Sequence, residues 1–390
     1  MSTVLRIRSA RADLVEQVAT LAAAHAERTD TEASFPIEAL QAMRDTGLLG
    51  LLVPESYGGF GGSVEDLLTA TLRLAREDLS VAMIFAMHGQ QVAAIVRYAA
   101  EPLRATLLPD IAAGRCYLAS VTTEAGKGGN LLHAEAQLEA REGHLLLDRF
   151  APVVTGGKHA DGYLVTMLDS RAESGHQVSL VYARRDQIEI EPAGVWQPLG
   201  MRASDSGALH LRGVLPADQV IGEPGRFRDI VTTVFGPLAH LGWSAAWLGT
   251  ASGALARVIA LLRTRRAHGG PNLDSELLLT RLATVRERLE TVHALLWRCA
   301  DLFEREADLS RPRNQLLLNG LKVTASEQCY AAVDTLIELT GMQHGYLRTS
   351  PTRLERSLRD LRSATLNYHN DRLRLADGKL ALLDPEVNFA

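Results

Sequence analysis

The chain has 390 residues, 46% of them hydrophobic and 22% charged, and a formal net charge of −5. That composition belongs to a globular protein and excludes a disordered one, and the length allows two or three compact units. The mildly acidic balance leaves no basic footprint for nucleic acid, although a local basic pocket for an anionic ligand stays open. Cys116, Cys299 and Cys329 lie far apart and form no Cys/His cluster, so neither a disulfide framework nor a metal site is expected. Arg and Asp interrupt the first residues before a signal-peptide core can form. The uninterrupted apolar runs fall far short of the ~20 residues that span a bilayer. A soluble, cytoplasmic protein without membrane association is expected.

From about Ala10 to Arg115 the pattern is helical. Phe35-Pro36 opens one helix, where Pro is tolerated in the first turn, and Ile37, Leu40, Met43 and Leu48 fall near a helical period. Residues 54–63, PESYGGFGGS, form a loop by their glycine content, and a helix resumes from Glu65. From Cys116 to about Gly225 short apolar runs alternate with turn residues, the mark of an all-β unit. Those runs lie at 136–140, 144–147, 163–166, 178–182 and 208–211, and Arg141-Glu142-Gly143-His144 reads as a hairpin turn. From about Arg226 helices return. Leu278, Leu282, Val285, Leu289, Val292, Leu295, Cys299 and Leu302 step by fours and threes along one long amphipathic helix. The expected domains are 1–115, 116–225 and 226–390. This order argues against an alternating strand–helix nucleotide fold, and neither a G-x-G-x-x-G after a strand nor a Walker A motif is present.

Six segments carry further information. Residues 47–59 read GLLGLLVPESYGG. Residues 122–130 read TTEAGKGGN, a strand entering a glycine-rich loop whose backbone can approach a ligand closely. Residues 152–161 read PVVTGGKHAD. Residues 199–206 read LGMRASDS, followed by VLPAD at 214–218. Residues 265–269 read RRAHG, and residues 340–346 read TGMQHGY, followed by Arg359-Asp360. Together, in this order, the segments resemble the acyl-CoA dehydrogenase family over nearly the whole chain. The resemblance implies an α+β multidomain fold: an N-terminal α-helical domain, a central β-barrel or sandwich domain and a C-terminal four-helix bundle. It implies a flavin cofactor, FAD, and a homotetramer or homodimer. Its substrate would be a small molecule, an acyl-CoA or carrier-protein thioester. By the same resemblance Thr123, Gly128, Thr155, Arg265, Gly341 and Asn370 would meet the cofactor. Arg265 matches phosphate oxygens in a bidentate way. Gly129, Arg202 and His240 would meet the substrate. Pro152 replaces the family's Trp, Gly129-Asn130 its Ser-Asp, Thr340 its first turn glycine and Ile337 a glutamine.

Removing the α-proton of a thioester needs a base, and a desolvated carboxylate suits the task. The family's glutamate follows Arg-Asp at a fixed spacing. Counted from Arg359-Asp360, that position is Tyr368, with His369 and Asn370 beyond it. Asp371 falls three residues late, roughly 300° around a helix. The alternative position on the first helix after the β unit is Ala239, beside His240. The candidate catalytic residues are therefore Tyr368, His240, His369 and Asp371. Three readings stay open: dehydrogenation with a non-standard base, a flavin-dependent monooxygenase or oxidase on the same fold, and an inactive partner subunit.

Overall fold

The computed structural model describes residues 3–126, 130–266, 273–306, 308–384 and 386–387. Helices α1 (Thr3–Glu32), α2 (Ile37–Asp45), α3 (Val64–Ala75), α4 (Leu79–Tyr98) and α5 (Glu101–Ala112) come first. Strands β1 (Leu118–Val121), β2 (Glu139–Arg141), β3 (His144–Ala151) and β4 (Gly162–Leu168) follow, then β5 (Val178–Arg184), β6 (Ile188–Pro192), β7 (Leu209–Pro216) and β8 (Val220–Ile221). The chain closes with α6 (Phe227–Ile230), α7 (Gly236–Arg266), α8 (Glu276–Arg305), α9 (Pro312–Gly341), α10 (Leu354–Leu361) and α11 (Asn370–Ala381). Helical segments thus flank a central β segment along the chain, as the residue pattern predicts. By packing, the chain divides into two compact units, each discontinuous in sequence. One comprises Met1–Leu67, Ile84–Gln197 and Arg202–Ala239; the other comprises Leu68–Met83, Pro198–Met201 and His240–Ala390.

The first unit holds two four-stranded sheets, in the orders β1-β4-β5-β8 and β2-β3-β7-β6. Strands β4 and β5 are buried along nearly their whole length, as expected for strands covered on both faces. Strand β3 instead alternates, with Leu145, Leu147, Arg149 and Ala151 inward. It pairs with β2 through Arg141 and His144. Glu142 and Gly143 between them have φ of 42° and 82°, the two positive values that a two-residue hairpin turn favours. His88 on α4 is fully buried and joins three segments: its Nδ1 accepts the Leu118 amide at 3.1 Å and its Nε2 donates to the Leu49 carbonyl at 2.9 Å. These two partners fix the neutral tautomer.

In the second unit α7, α8 and α9 are 31, 30 and 30 residues long. Gly249 on α7 faces the end of α3, where an added Cβ would fall 2.4 Å from the Leu72 carbonyl oxygen. Only glycine permits that approach. The buried stripe of α8 runs Val285, Leu289, Val292, Leu296, Cys299. It passes through Leu296 and not the expected Leu295, because steps of four and three must alternate to keep one face inward. All three cysteines are free and buried. Two segments, Leu79–Tyr98 and Phe227–Thr264, reach the length and mean hydropathy of a membrane span, which inspection of uninterrupted apolar runs passes over. Their apolar windows are 83% and 67% buried within the protein, so their apolar character is accounted for by packing.

Burial lowers the pKa of His88 to about 4 from 6.5. The unfolded chain takes up a proton near pH 6.5 and the folded chain only near pH 4, so stability is lost as pH falls through that window. The contribution is roughly 3 kcal/mol at 1.36 kcal/mol per unit. In urea titrations from pH 7 to pH 4, His88→Gln should release about one proton's worth of that slope. An unchanged slope would show that His88 is not the group responsible.

Candidate active site

Three of the motif segments meet in the first unit. Thr123, just past β1, donates its hydroxyl to the Val153 carbonyl at 2.8 Å and accepts the Val153 amide at 3.2 Å. Ser206 donates to the Thr155 hydroxyl at 3.1 Å and lies 2.7 Å from the Ser204 hydroxyl. The Gly156 amide donates to the Ser204 carbonyl at 2.9 Å. Thr123 thus holds the backbone of Val153, whose side chain is exposed, and Thr155 follows two residues later. Asp205 lies 3.0 Å from Lys158 and 3.3 Å from His159. Hydrogen bonds from His159, and next from Lys158, hold its carboxyl below the usual range despite partial burial. Arg202 lies elsewhere: it donates to the Asp30 and Thr31 carbonyls at 2.6 and 3.2 Å, at the end of α1, where a cation is favoured. Gly128 and Gly129 lie outside the described residues, as does the side chain of Arg265.

Beneath the Thr123 loop is an ion pair that motif reading misses. Arg149 of β3 lies 3.1 Å from Glu124, with both side chains almost wholly buried. Arg149 also donates to the Thr123, Phe150 and Thr166 carbonyls at 2.7, 2.6 and 3.2 Å. Glu124 accepts the amides of Glu135 and Ala136, the latter at 2.9 Å. One signal was available: Arg149 sits on the inward parity of β3, between Leu147 and Ala151.

The second unit brings together His240, Tyr368 and Asn370. The Tyr368 backbone is left-handed, with φ of 47°, an uncommon conformation for a bulky residue. Its half-buried ring lies 6.5 Å from the buried His240 ring, centroid to centroid. Burial, and next the Lys322 ammonium, lower the His240 pKa to about 4 against the opposing pull of the Leu318 carbonyl. Its Nδ1 is buried with no hydrogen-bond partner. Burial raises the Tyr368 pKa, so the phenol keeps its proton. Near neutral pH the pair is therefore an imidazole with a free lone pair beside a protonated phenol.

Asn370 is buried and directed inward. Its Oδ1 accepts from Lys322 at 2.7 Å, and its Nδ2 donates to Ser326 at 3.0 Å and to Glu327 at 3.1 Å. His369 and Asp371 are set apart from this cluster. The His369 Nδ1 accepts the Asp371 amide at 3.3 Å, capping α11, and both side chains are more than half exposed. Gly341 ends α9 with φ of 64° and open space where a Cβ would stand. Thr340 stays helical and donates its hydroxyl to the Leu336 carbonyl at 2.8 Å. The turn therefore opens at the second position of its motif. Lys322 is also absent from the motif reading, although it occupies the buried face of α9 between Leu318 and Cys329.

Profiles of known families match two parts of the chain: the acyl-CoA dehydrogenase N-terminal domain at residues 6–115 and the acyl-CoA dehydrogenase C-terminal domain at residues 238–367. A probable acyl-CoA dehydrogenase of Mycobacterium tuberculosis is 25% identical over 321 residues, covering 82% of this chain and 79% of that protein. Butyryl-CoA dehydrogenase from Megasphaera elsdenii has a similar structure, with a TM-score of 0.84 at 19% identity, over 96% of this chain and 98% of that one. Dibenzothiophene monooxygenase from Paenibacillus superposes with a TM-score of 0.81 at 21% identity, over 98% of each chain.

The ion pair makes the Thr123 loop testable. Removing one partner of a buried pair typically costs about 3–5 kcal/mol. Glu124→Ala should lower unfolding stability by that amount, with increased amide exchange at residues 122–126 and 135–136. Loss of stability without local exchange would refute the link to the loop. The two profile matches together span more than half of the sequence, and the chain belongs to the acyl-CoA dehydrogenase family of flavin-dependent oxidoreductases.

Proposed function

We propose that the protein is an FAD-dependent dehydrogenase of acyl thioesters in which His240 replaces the usual carboxylate base. The carrying observation is the buried His240 imidazole, with its unpartnered Nδ1, beside Tyr368. With its pKa lowered to about 4 by burial, the His240 imidazole is neutral near pH 7 and keeps the Nδ1 lone pair free to accept a proton. Tyr368, kept neutral by burial, is a hydrogen-bond donor for the substrate end and not the base. His369 and Asp371 serve α11 as its cap.

The residues present fit a flavin. Thr123 sets a hydroxyl on the backbone of Val153, whose apolar side chain is exposed, and Thr155 adds a second two residues later, a polar edge next to an apolar face. A bound flavin would accept the β-hydrogen as hydride. The chain's own part is to orient the thioester, exclude water and take the α-proton at His240. An acyl-CoA or carrier-protein thioester is the substrate in this reading. Exposed Met342, Tyr346 and Leu347 beside the Gly341 turn support assembly as a homodimer or homotetramer, in the cytoplasm.

A second reading rests on a specific observation: no carboxylate stands beside Tyr368 and His240 among the described contacts. Oxygen-activating relatives of this fold need none at that place, and the Paenibacillus enzyme is a monooxygenase by name. Anaerobic mixing of the flavin-loaded protein with a panel of acyl-CoAs, read by absorbance, separates the two. Dehydrogenation predicts bleaching by at least one thioester. His240→Gln should slow that bleaching by about 10²–10⁴-fold with flavin retained, the usual contribution of a general base, and Tyr368→Phe should slow it far less. Bound flavin that no thioester bleaches, with oxygen consumed when reduced flavin is supplied, would move the assignment to a monooxygenase.

A further inference from the structure

Lys322 has no exposed surface, yet it lies in the middle of α9. An ammonium carries three N–H donors, and each finds one acceptor. Nζ lies 3.1 Å from the Ala364 carbonyl, 3.3 Å from the Tyr368 carbonyl and 2.7 Å from Asn370 Oδ1. Those three acceptors span the turn between α10 and α11, which is neither helix nor strand and whose own bonds are short-range, such as Leu366 N–H to the Ser363 carbonyl at 2.9 Å and Asn370 N–H to the Thr365 carbonyl at 3.2 Å. The ammonium also lies 5.6 Å from the centre of the Trp247 ring on α7, within the range of a cation–π contact. It therefore ties the turn to the helix that carries His240.

We propose that Lys322 is the positioning residue of this site, its ammonium building the turn that presents Tyr368 to His240. The inference rests on the reading of Tyr368 and His240 as the reacting pair. Leaving a buried polar group unmatched costs about 1–3 kcal/mol, so loss of Nζ would penalise the three oxygens that converge on it. The left-handed Tyr368 backbone is strained for a non-glycine residue, and a charge-assisted hydrogen bond to its own carbonyl compensates that strain. The other charged groups around the ammonium neutralise one another: Glu327 of α9 and Arg374 of α11 pair at 2.7 Å. Asn370 alone bridges that pair to Lys322. Towards α7 the ammonium faces Trp247 and His240, and its charge also depresses the His240 pKa.

Lys322→Met removes the charge and all three donors at nearly constant length. With it, the His240 imidazole resonance, assigned by its loss in His240→Gln, should titrate at a higher pH than in the parent. Amide exchange at residues 366–371 should rise while exchange in α8 stays unchanged. The rate of flavin bleaching at saturating thioester should fall about tenfold or more with KM held, as for a misplaced reacting group. The first two readouts need no substrate. If both move and no thioester bleaches the parent protein, the positioning role stands and the dehydrogenase reading fails. If neither moves, the positioning role is overturned whatever the reaction. Should Lys322→Met not fold, Lys322→Gln keeps two N–H donors without the charge. It should shift the His240 titration in the same direction, and an unshifted titration would overturn the proposal.

Discussion

Burying a guanidinium is tolerable only where its donors meet acceptors, and the first unit is organised around meeting that condition. Arg149 lies within β3 and gathers the carbonyls of Thr123, Phe150 and Thr166 together with the Glu124 carboxylate. Those acceptors come from both sheets and from the loop after β1. The pair is therefore a junction, and more a device for specifying one arrangement than a net source of stability. Glu124 passes the constraint on through the amides of residues 135 and 136. The loop that carries Thr123 is thereby held at both ends. The second unit repeats the principle with a different cation, since Lys322 satisfies three oxygens of the irregular turn between α10 and α11. In each unit a buried cation lies beneath a segment with a backbone irregular enough to need one.

In the proposed reaction, an imidazole at His240 in place of a carboxylate changes the charge that the site carries. A carboxylate brings a negative charge into a desolvated pocket, whereas an imidazole enters neutral. Burial raises the pKa of one and lowers that of the other, so each is pushed towards its uncharged form. What differs is the charge after proton transfer, which is positive at an imidazole and zero at a carboxylic acid. A site built on histidine therefore favours a reaction that leaves negative charge nearby.

Much of the architecture is legible in the sequence because periodicity reports burial directly. The α8 stripe, the β3 alternation and the hairpin at Glu142-Gly143 follow from side-chain geometry and local turn chemistry alone. The short motifs draw attention to Thr123, Thr155 and the Gly341 turn, since glycine and hydroxyl residues at fixed spacing leave a recognisable string. The edge strand β6, reading IEIEP, escaped notice because its alternating glutamates face solvent and it lacks a continuous apolar run. Arg149, His88 and Lys322 escaped for another reason. Each is a polar residue on a buried face, and their partners are backbone carbonyls, amides and carboxylates brought close only by folding. Arg202 shows the converse: it lies in a strong motif, and its contacts are the last carbonyls of α1, some 170 positions earlier in the chain.

The close approach at Gly249 places Leu72 and its neighbours in the second unit, and this bears on how the chain is made. The segment Leu68–Met83 leaves the ribosome long before His240, where the rest of its unit begins. At about 5–20 residues per second, it waits on the order of ten seconds for α7. During that interval Leu72, Ala75 and Arg76 lack the neighbours that Gly249, Thr250 and Gly253 of α7 later provide. No single cut of the chain separates the two units. The second is completed only by the last part of the sequence, so a nascent chain stalled before α7 leaves the face of α3 that meets Gly249 uncovered.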